Sequence, residues 1–217
     1  KNFSKKIHRL KGNNFIIDNK TCSIFYEDII KSKFKILKRE DPIYLFKAIK
    51  NKTEIQNMIN THILDGAALT KFIYWIKNIN KKIINEVQAQ NKLESFRKLN
   101  KNYLYPSFDT IAGSGKNGAI VHYRAKKKNC RNIGKNDIFL CDSGGQYKYG
   151  TTDVTRTICF SEPNRNIKNI FTSVLKGHIA VASTNLMKNN IGMQIDTRAR
   201  QFLKKRNLDY AHGTGHG

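Results

Sequence analysis

The sequence has few of the features that mark membrane proteins, secreted proteins and zinc-binding modules. No apolar run approaches the roughly 20 residues of a membrane-spanning helix, and the segment Lys1–Lys6 is not followed by the apolar stretch of a secretory signal. Proline occurs 3 times, and the 4 cysteines include no CxxC pair, so a zinc ribbon is not indicated. With 39% hydrophobic residues in 217, the composition is that of a globular chain with one domain, or one domain and part of another.

Acidic residues are also scarce. There are 16 of them against 40 lysines and arginines, which gives a formal net charge of +24. Such a charge can attract nucleic acid or an anionic membrane. The lysines are nevertheless spread along the whole chain and form no stripe with interleaved aromatic residues. We therefore expect neither nucleic acid nor a membrane as the main partner, and unpaired cysteines without a signal segment predict a cytoplasmic location.

The pattern changes at Asp41-Pro42. Residues 1–40 alternate short apolar runs with charged residues, which is typical of short strands and a helix at the end of an α/β domain. The residue before a proline is disfavoured in helical conformation, so a boundary is expected there. The sequence starts without Met and stops at Gly217 inside a glycine-histidine motif. These features predict an internal part of a longer protein, with 1–40 from a preceding domain and 41–217 from a second one.

Residues 41–217 are predicted to form an α+β domain. A helix is expected from Thr53, and a second helix over 84–99. The core-facing side of the first is predicted to carry Ile55, Ile59, Ile63, Ala67 and Phe72/Ile73. Helices are also expected over 166–188 and from Asp196, which could serve as an N-cap. Helices followed by clustered strands and further helices indicate the α+β class. The strands are predicted at 107–112, 119–123, 137–141 and 153–160.

Two aspartates are the strongest chemical signal. Asp142 follows the apolar run Phe139–Cys141, and Asp153 opens the next strand-like run after Gly150. Bends at the intervening glycines can direct both carboxylates to one point, and carboxylate oxygens are ligands for divalent cations. Asp142 could instead form an Asx turn. An aspartate inside a strand, as at position 153, needs a reason, because aspartate is disfavoured there.

Three histidines add to this signal. His212 and His216 lie in the segment Ala211–Gly217, whose glycines would allow a close approach to a crowded centre. Together with the two aspartates they suggest metal-assisted hydrolysis. His122 lies in the predicted strand 119–123 and can equally be a partly buried, hydrogen-bonded histidine. The Gly113-Ser-Gly115 segment lacks the ending of a phosphate-binding loop, so nucleotide binding is not indicated.

Four blocks stand out in order along the chain. They are Ser107–Arg124, Asp142-Ser-Gly-Gly-Gln-Tyr147, Gly150-Thr-Thr-Asp-Val-Thr-Arg-Thr157 and His212-Gly-Thr-Gly-His-Gly217. These blocks resemble aminopeptidase P (Xaa-Pro aminopeptidase), a family of the pita-bread metallopeptidases, with methionine aminopeptidase, prolidase and creatinase. The likeness covers roughly 41–217, and the second and third blocks are specific to aminopeptidase P.

The resemblance implies a pita-bread catalytic domain, incomplete at its C-terminus, and makes 1–40 the tail of a creatinase-like middle domain. It implies that Asp142 binds one metal ion, that Asp153 bridges two, and that His216 binds the other. His122 and His212 match histidines that bind substrate and assist proton transfer. The family usually uses two manganese ions, with cobalt or zinc in some members. It releases the first residue from peptides with proline in second position, and it is often dimeric, so a homodimer is expected.

The family's site also uses two glutamates and a further histidine downstream of the His-Gly-Thr-Gly-His loop. The sequence stops at Gly217, so we expect the residues present here to bind metal weakly and not to hydrolyse peptides alone. The activity is expected of the parent protein. Two other interpretations stay open. One is a non-catalytic pita-bread protein that binds a partner such as a histone or RNA. The other is a hydrolase of the prolidase or methionine aminopeptidase type.

Overall fold

The computed structural model describes residues 2–79, 83–188 and 191–216. The chain divides into two compact units, Lys1–Gln56 and Asn57–Gly217. The helices are α1 Phe3–Arg9, α2 Ile24–Lys31, α3 Pro42–Ala48, α4 Lys52–Lys77, α5 Glu86–Arg97, α6 Arg165–Ala182 and α7 Gly192–Lys204. The strands are β1 Asn14–Ile17, β2 Lys35–Lys38, β3 Tyr103–Pro106, β4 Ile111–Ser114, β5 Ile138–Ser143, β6 Gly145–Tyr147, β7 Gly150–Thr151 and β8 Val154–Cys159, and a short 3-10 helix spans Gly115–Ala119.

The first unit contains a parallel strand pair with a helix between its strands. β1 pairs with β2 from Asn14↔Lys35 to Ile17↔Lys38, and α2 makes the crossover. The small core around it comprises Ile7, Ile17, Ile30 and Phe34. After β2, the Asp41 carboxylate accepts a hydrogen bond from the backbone N–H of Ile43 at 2.9 Å, which caps α3. The assignment of residues 1–40 to a separate preceding domain stays a prediction.

The second unit packs helices against antiparallel strands. β5 is the central strand of the order β4-β5-β8, and β6 is central in the order β3-β6-β7. The apolar core lies between these strands and the helices α4 and α5. Its buried members are Leu69, Phe72, Ile76, Ile84, Ala89, Leu93, Ala112, Phe139, Cys141 and Ile158. A mixed helix-and-strand unit agrees with the predicted α+β class. In the described residues, every helix is too short or too polar to cross a lipid bilayer.

The predicted strand at 119–123 is wrong. The chain there leaves the 3-10 helix and enters a turn. The reason is the buried Glu86 carboxylate, which accepts hydrogen bonds from the Asn117 amide at 3.0 Å and from the Tyr123 hydroxyl at 2.7 Å. An extended strand could not bring these two side chains, six residues apart, to one carboxylate.

Two helix predictions also differ from the structure. Ile59 and Ile63 on α4 are 49% and 65% exposed. The buried side of this helix instead carries Thr61, Asp65, Ala68, Leu69, Phe72 and Ile76. Asp196 does not cap α7. It lies inside the helix and accepts a hydrogen bond from Arg200 Nε at 2.9 Å, four residues on, where the two side chains share one helix face.

Candidate metal centre

The two aspartates lie on neighbouring strands. Asp142 is in β5 opposite Thr155 of β8, and Asp153 immediately precedes β8. Along β5, residues Phe139, Cys141 and Ser143 are buried, whereas Asp142 is only half-buried. Successive side chains of a strand point to opposite faces, so Asp142 faces away from the side on which Cys141 and Ser143 are buried.

The Asp142 carboxyl sits in an environment that disfavours its charge. Burial raises the pKa of Asp142 above its usual range, and the nearby negative charge of Asp153 raises it further. The Thr155 hydroxyl and the charge of His122 offset part of this effect. In addition, Asp142 Oδ1 is buried and has no hydrogen-bond partner among the residues that the structure describes. A buried acceptor without a partner costs free energy, which a bound cation would offset.

His216 stands next to the second aspartate. Its Nε2 lies 3.3 Å from Asp153 Oδ2, and its side chain is 80% exposed. Asp142 thus lies close to Asp153, and Asp153 lies close to His216. Within residues 2–79, 83–188 and 191–216, however, no three His, Cys, Asp or Glu side chains are arranged to hold one metal ion.

His122 lies in the turn after the 3-10 helix, and it is exposed. Its φ of +54° is in the left-handed region, which non-glycine residues rarely adopt. The neighbouring Tyr123 is buried and donates its hydroxyl hydrogen bond to Glu86. Burial and this hydrogen bond raise the pKa of Tyr123 to about 12, so it stays a donor at neutral pH. The turn therefore presents an exposed histidine, and the alternative of a buried structural histidine is wrong for this position.

Arg200 of α7 binds the His-Gly segment, which is Ala211–Gly217, and the residues just before it. The guanidinium donates to the carbonyl of Tyr210 at 2.7 Å and to that of His212 at 2.8 Å. It also bonds Asp209 at 2.8 Å and lies 4.0 Å from the centre of the Tyr210 ring, which stacks on the ring of His212. The backbone near Gly213 and Gly215 is open, since a Cβ at either position would meet no atom within 4 Å. The expected close packing of these glycines is not seen in the described residues.

A buried hydrogen-bond network lies on the face of β5 opposite to Asp142, and it is absent from the sequence-based predictions. Arg97 at the end of α5 pairs with Asp65 of α4, with Nε–Oδ1 at 2.6 Å, and both side chains are 1% exposed. Arg97 Nη2 also donates to the Ser143 hydroxyl at 3.0 Å, and the Tyr147 hydroxyl donates to Asp65 Oδ1 at 2.8 Å. Ser143 is the direct neighbour of Asp142. The signal that could have found this network is its spacing, because Arg97 shares a four-residue repeat with Ala89 and Leu93.

The donor set fits a divalent cation in part. Two adjacent carboxylates, one with a buried oxygen that lacks a partner, are hard oxygen ligands of the kind that manganese and similar ions take. Cys141 is not placed as a ligand, because it is 1% exposed in the apolar core and lies on the face of β5 opposite to Asp142.

Solved structures define the class of fold. An X-prolyl aminopeptidase from Caenorhabditis elegans, described as a cytosolic enzyme with a di-nuclear active site, matches with a TM-score of 0.77 and 36% identity, over 88% of this chain and 31% of that one. A prolidase from Pyrococcus furiosus matches with a TM-score of 0.74 and 25% identity, over 94% of this chain and 58% of that one. The fold is thus the pita-bread type.

The sequence comparisons give the family. Residues 56–217 match the model of metallopeptidase family M24. A protein of Paracoccidioides brasiliensis (strain Pb03) named "Probable Xaa-Pro aminopeptidase P" is 51% identical over 186 residues, which are 84% of this chain and 30% of that protein. The chain belongs to metallopeptidase family M24. It spans about a third of the length of such relatives, and the resemblance to aminopeptidase P inferred from the motifs is confirmed.

Proposed function

We propose that the protein carrying this chain is a dinuclear metal-dependent aminopeptidase that releases the N-terminal residue from peptides with proline in second position. The observation that carries the proposal is the Asp142–Asp153 carboxylate pair with its partnerless buried oxygen, in a chain of a metallopeptidase family. Relatives at 36% and 51% identity carry Xaa-Pro aminopeptidase names. They support the proposed substrate class, which the geometry of the described residues alone does not define.

The proposed roles follow from position. Asp142 and Asp153 would hold two divalent ions, Asp153 as the shared ligand because it stands between Asp142 and His216. Manganese is the proposed metal, with cobalt or zinc as substitutes, since the ligands are mainly hard oxygens. Such ions supply Lewis acidity and lower the pKa of a water molecule.

The exposed histidines would act on the substrate. His122 approaches Asp142 from the turn after the 3-10 helix, and His212 is presented by the segment that Arg200 organises. An imidazole can donate a hydrogen bond to a peptide carbonyl and accept or return a proton near neutral pH. Proline in second position gives a tertiary amide with a fixed φ and no N–H, so the first bond presents a distinct shape to the enzyme. A cytoplasmic location and a homodimer stay predictions.

The test uses the full-length protein, freed of metal and reloaded with manganese, cobalt or zinc. We expect release of arginine from Arg-Pro-Pro and no cleavage of Gly-Pro or Met-Ala-Ser. Cleavage of Gly-Pro would indicate a prolidase, and release of methionine would indicate a methionine aminopeptidase. Absence of cleavage with every metal would favour the non-catalytic binding protein.

Asp153→Ala tests the shared ligand in the same assay. Losing a ligand of both ions should abolish metal loading and cleavage together, as measured by elemental analysis and peptide turnover. Glu162→Ala is the matched control, because Glu162 is an exposed carboxylate with a single basic partner, Lys168 at 2.6 Å. Two retained metal ions in Asp153→Ala would contradict the assignment.

A further inference from the structure

The Asp65–Arg97 pair lies directly behind the candidate metal centre. Both side chains are 1% exposed, and the guanidinium meets the carboxylate through two contacts, 2.6 Å from Nε to Oδ1 and 3.1 Å from Nη2 to Oδ2. The pair is neutral overall, so it adds little net charge to the centre. The two contacts fix the orientation of the side chains relative to each other, since the planar guanidinium group binds a carboxylate in a bidentate way. We call the Asp65–Arg97 pair the anchor.

The anchor is connected to the residue after the first aspartate. Arg97 Nη2 donates to Ser143 Oγ at 3.0 Å, and Ser143 has no exposed surface. Ser143 follows Asp142 in β5, and the two side chains point to opposite faces of the strand. A hydrogen bond on the buried face therefore fixes the backbone from which the Asp142 carboxylate projects on the other face.

The anchor is also close to the residue before the second aspartate. Thr152 is 1% exposed, and its hydroxyl accepts a hydrogen bond from the backbone N–H of Gly145 at 2.9 Å. The backbone carbonyl of Thr152 accepts from Ser107 Oγ at 2.8 Å. The Thr152 hydroxyl is one of the groups that hold the pKa of Asp65 below its usual range. The buried cluster thus contacts Ser143, which follows Asp142, and Thr152, which precedes Asp153.

We propose that Arg97 is a positioning residue for the metal centre, which sets the placement of Asp142 through the hydroxyl of Ser143 while Asp65 holds the guanidinium in place. The proposal rests on the proposed function, because it concerns ligands of the metals assigned there. Ligands must be held within a fraction of an ångström for tight binding, and residues that orient ligands commonly affect metal affinity about 10- to 100-fold.

Ser143→Ala in the full-length protein is the direct test. It removes the hydroxyl and leaves the Asp65–Arg97 contacts in place. We expect unchanged metal stoichiometry, with affinity for Mn²⁺ about tenfold weaker or more by titration calorimetry. The absorption spectrum of the Co²⁺-loaded protein should change, since it reports ligand geometry.

Two controls separate positioning from stability. Ser173→Ala removes another buried serine hydroxyl that accepts from an arginine, here Arg206 Nε at 2.9 Å, between α6 and α7. Ser114→Ala removes a fully buried hydroxyl of β4 that donates to Asp137 Oδ2 at 2.7 Å instead of taking part in the Asp65–Arg97–Ser143 contacts. Both should bind Mn²⁺ as the wild type does, even where thermal unfolding of the metal-free protein shifts. Ser143→Cys, of similar size, replaces Ser143→Ala if that variant does not fold, and a weaker but still present loss of affinity is expected.

The outcomes are distinct. If the wild type binds two ions and Ser143→Ala binds them as tightly as Ser173→Ala, the positioning role is wrong and the proposed function stands. If Ser114→Ala loses as much affinity as Ser143→Ala, the effect is general destabilisation and the positioning role is again wrong. If the wild type binds no metal ion, the proposed function and this inference fall together.

Discussion

Gly144 shows how little space surrounds the two aspartates. A Cβ at this position would lie 1.9 Å from the carbonyl oxygen of Thr152 and 2.2 Å from Ser107 Oγ. The first of these atoms is backbone and cannot move aside easily. The turn between Asp142 and Asp153 therefore depends on the absence of a side chain at residue 144, because the chain passes its own backbone at van der Waals contact.

Gly144→Ala should destabilise the protein. We expect the free energy of unfolding to fall by about 1–3 kcal/mol or more, as for overpacking at a site that cannot relax, measured by urea denaturation. Gly213→Ala is the control, since a Cβ there meets no atom within 4 Å, and it should change stability by less than about 0.5 kcal/mol. Equal losses in the two variants would contradict the close approach at Gly144.

Individual residues also show which parts of the site could be predicted from the sequence. Asp142, Asp153 and His216 could be named from their spacing to glycines and from the motif blocks, and the structure brings them together as neighbours. The buried polar residues Glu86 and Arg97 are absent from the sequence-based predictions, although their spacing on α5 was available as a signal. Glu86 and Arg97 share the buried face of α5 with Ala89 and Leu93, at spacings of three and four residues.

Helix α7 and the His-Gly segment after it form one structural piece. The segment has no helix or strand in its described residues, and Arg200 provides its order by binding the carbonyls of Tyr210 and His212. Asp196, one turn earlier on α7, adds a contact to the Thr214 hydroxyl. Without these contacts a glycine-rich segment would have many conformations, and holding it in one costs entropy.

Arg200→Met should release the segment while keeping the helix. We expect faster amide hydrogen exchange over residues 209–216 and weaker Mn²⁺ binding in the full-length protein, with exchange in α6 unchanged. Arg198→Met is the control on the same helix, since Arg198 Nε donates instead to the Ala180 carbonyl of α6 at 3.1 Å. Unchanged exchange at 209–216 in Arg200→Met would show that other contacts hold it.

The helices and strands differ in how well the sequence predicted them. β5 and β8 were predicted within two residues of their ends, because β5 begins with an apolar run after Asp137 and β8 is rich in β-branched residues after Asp153. The 119–123 strand was wrong, since its alternating pattern is overridden by the contacts of Asn117 and Tyr123 with Glu86. The predicted core face of α4 is correct at Phe72, which is buried, and wrong at Ile59 and Ile63, which are exposed. The isoleucines outweighed a buried aspartate in the pattern.

At the scale of the whole molecule, the buried carboxyl group of Asp65 stabilises the folded state above acidic pH. Burial of Asp65 opposes its ionisation, yet Arg97 with the Tyr147 and Thr152 hydroxyls keeps the pKa of Asp65 below 3.8. The unfolded chain therefore binds a proton at higher pH than the folded one. Stabilisation from this group is present above about pH 4 and is lost as the pH falls through the lowered folded-state pKa.

The midpoint of thermal unfolding of the metal-free, full-length protein should fall steeply below about pH 4. Asp65→Asn should be less stable at pH 7 by about 3–5 kcal/mol, because it leaves the Arg97 charge buried without its partner. The stability of Asp65→Asn should also fall less steeply below pH 4, since this variant lacks the carboxyl group with the lowered pKa. Calorimetry from pH 3 to pH 7 measures both effects, and parallel curves for the two proteins would contradict the role of Asp65.

The two-sided character of β5 has a consequence for engineering. Phe139, Cys141 and Ser143 are buried on one face of the strand, and Asp142 projects from the other. The side chains of one face can therefore be varied while those of the other face stay unchanged. A library that varies only the side of Leu140 and Asp142 would sample new ion preferences on an intact scaffold, whereas one that varies the opposite side would retune ligand placement with the reactive groups left as they are.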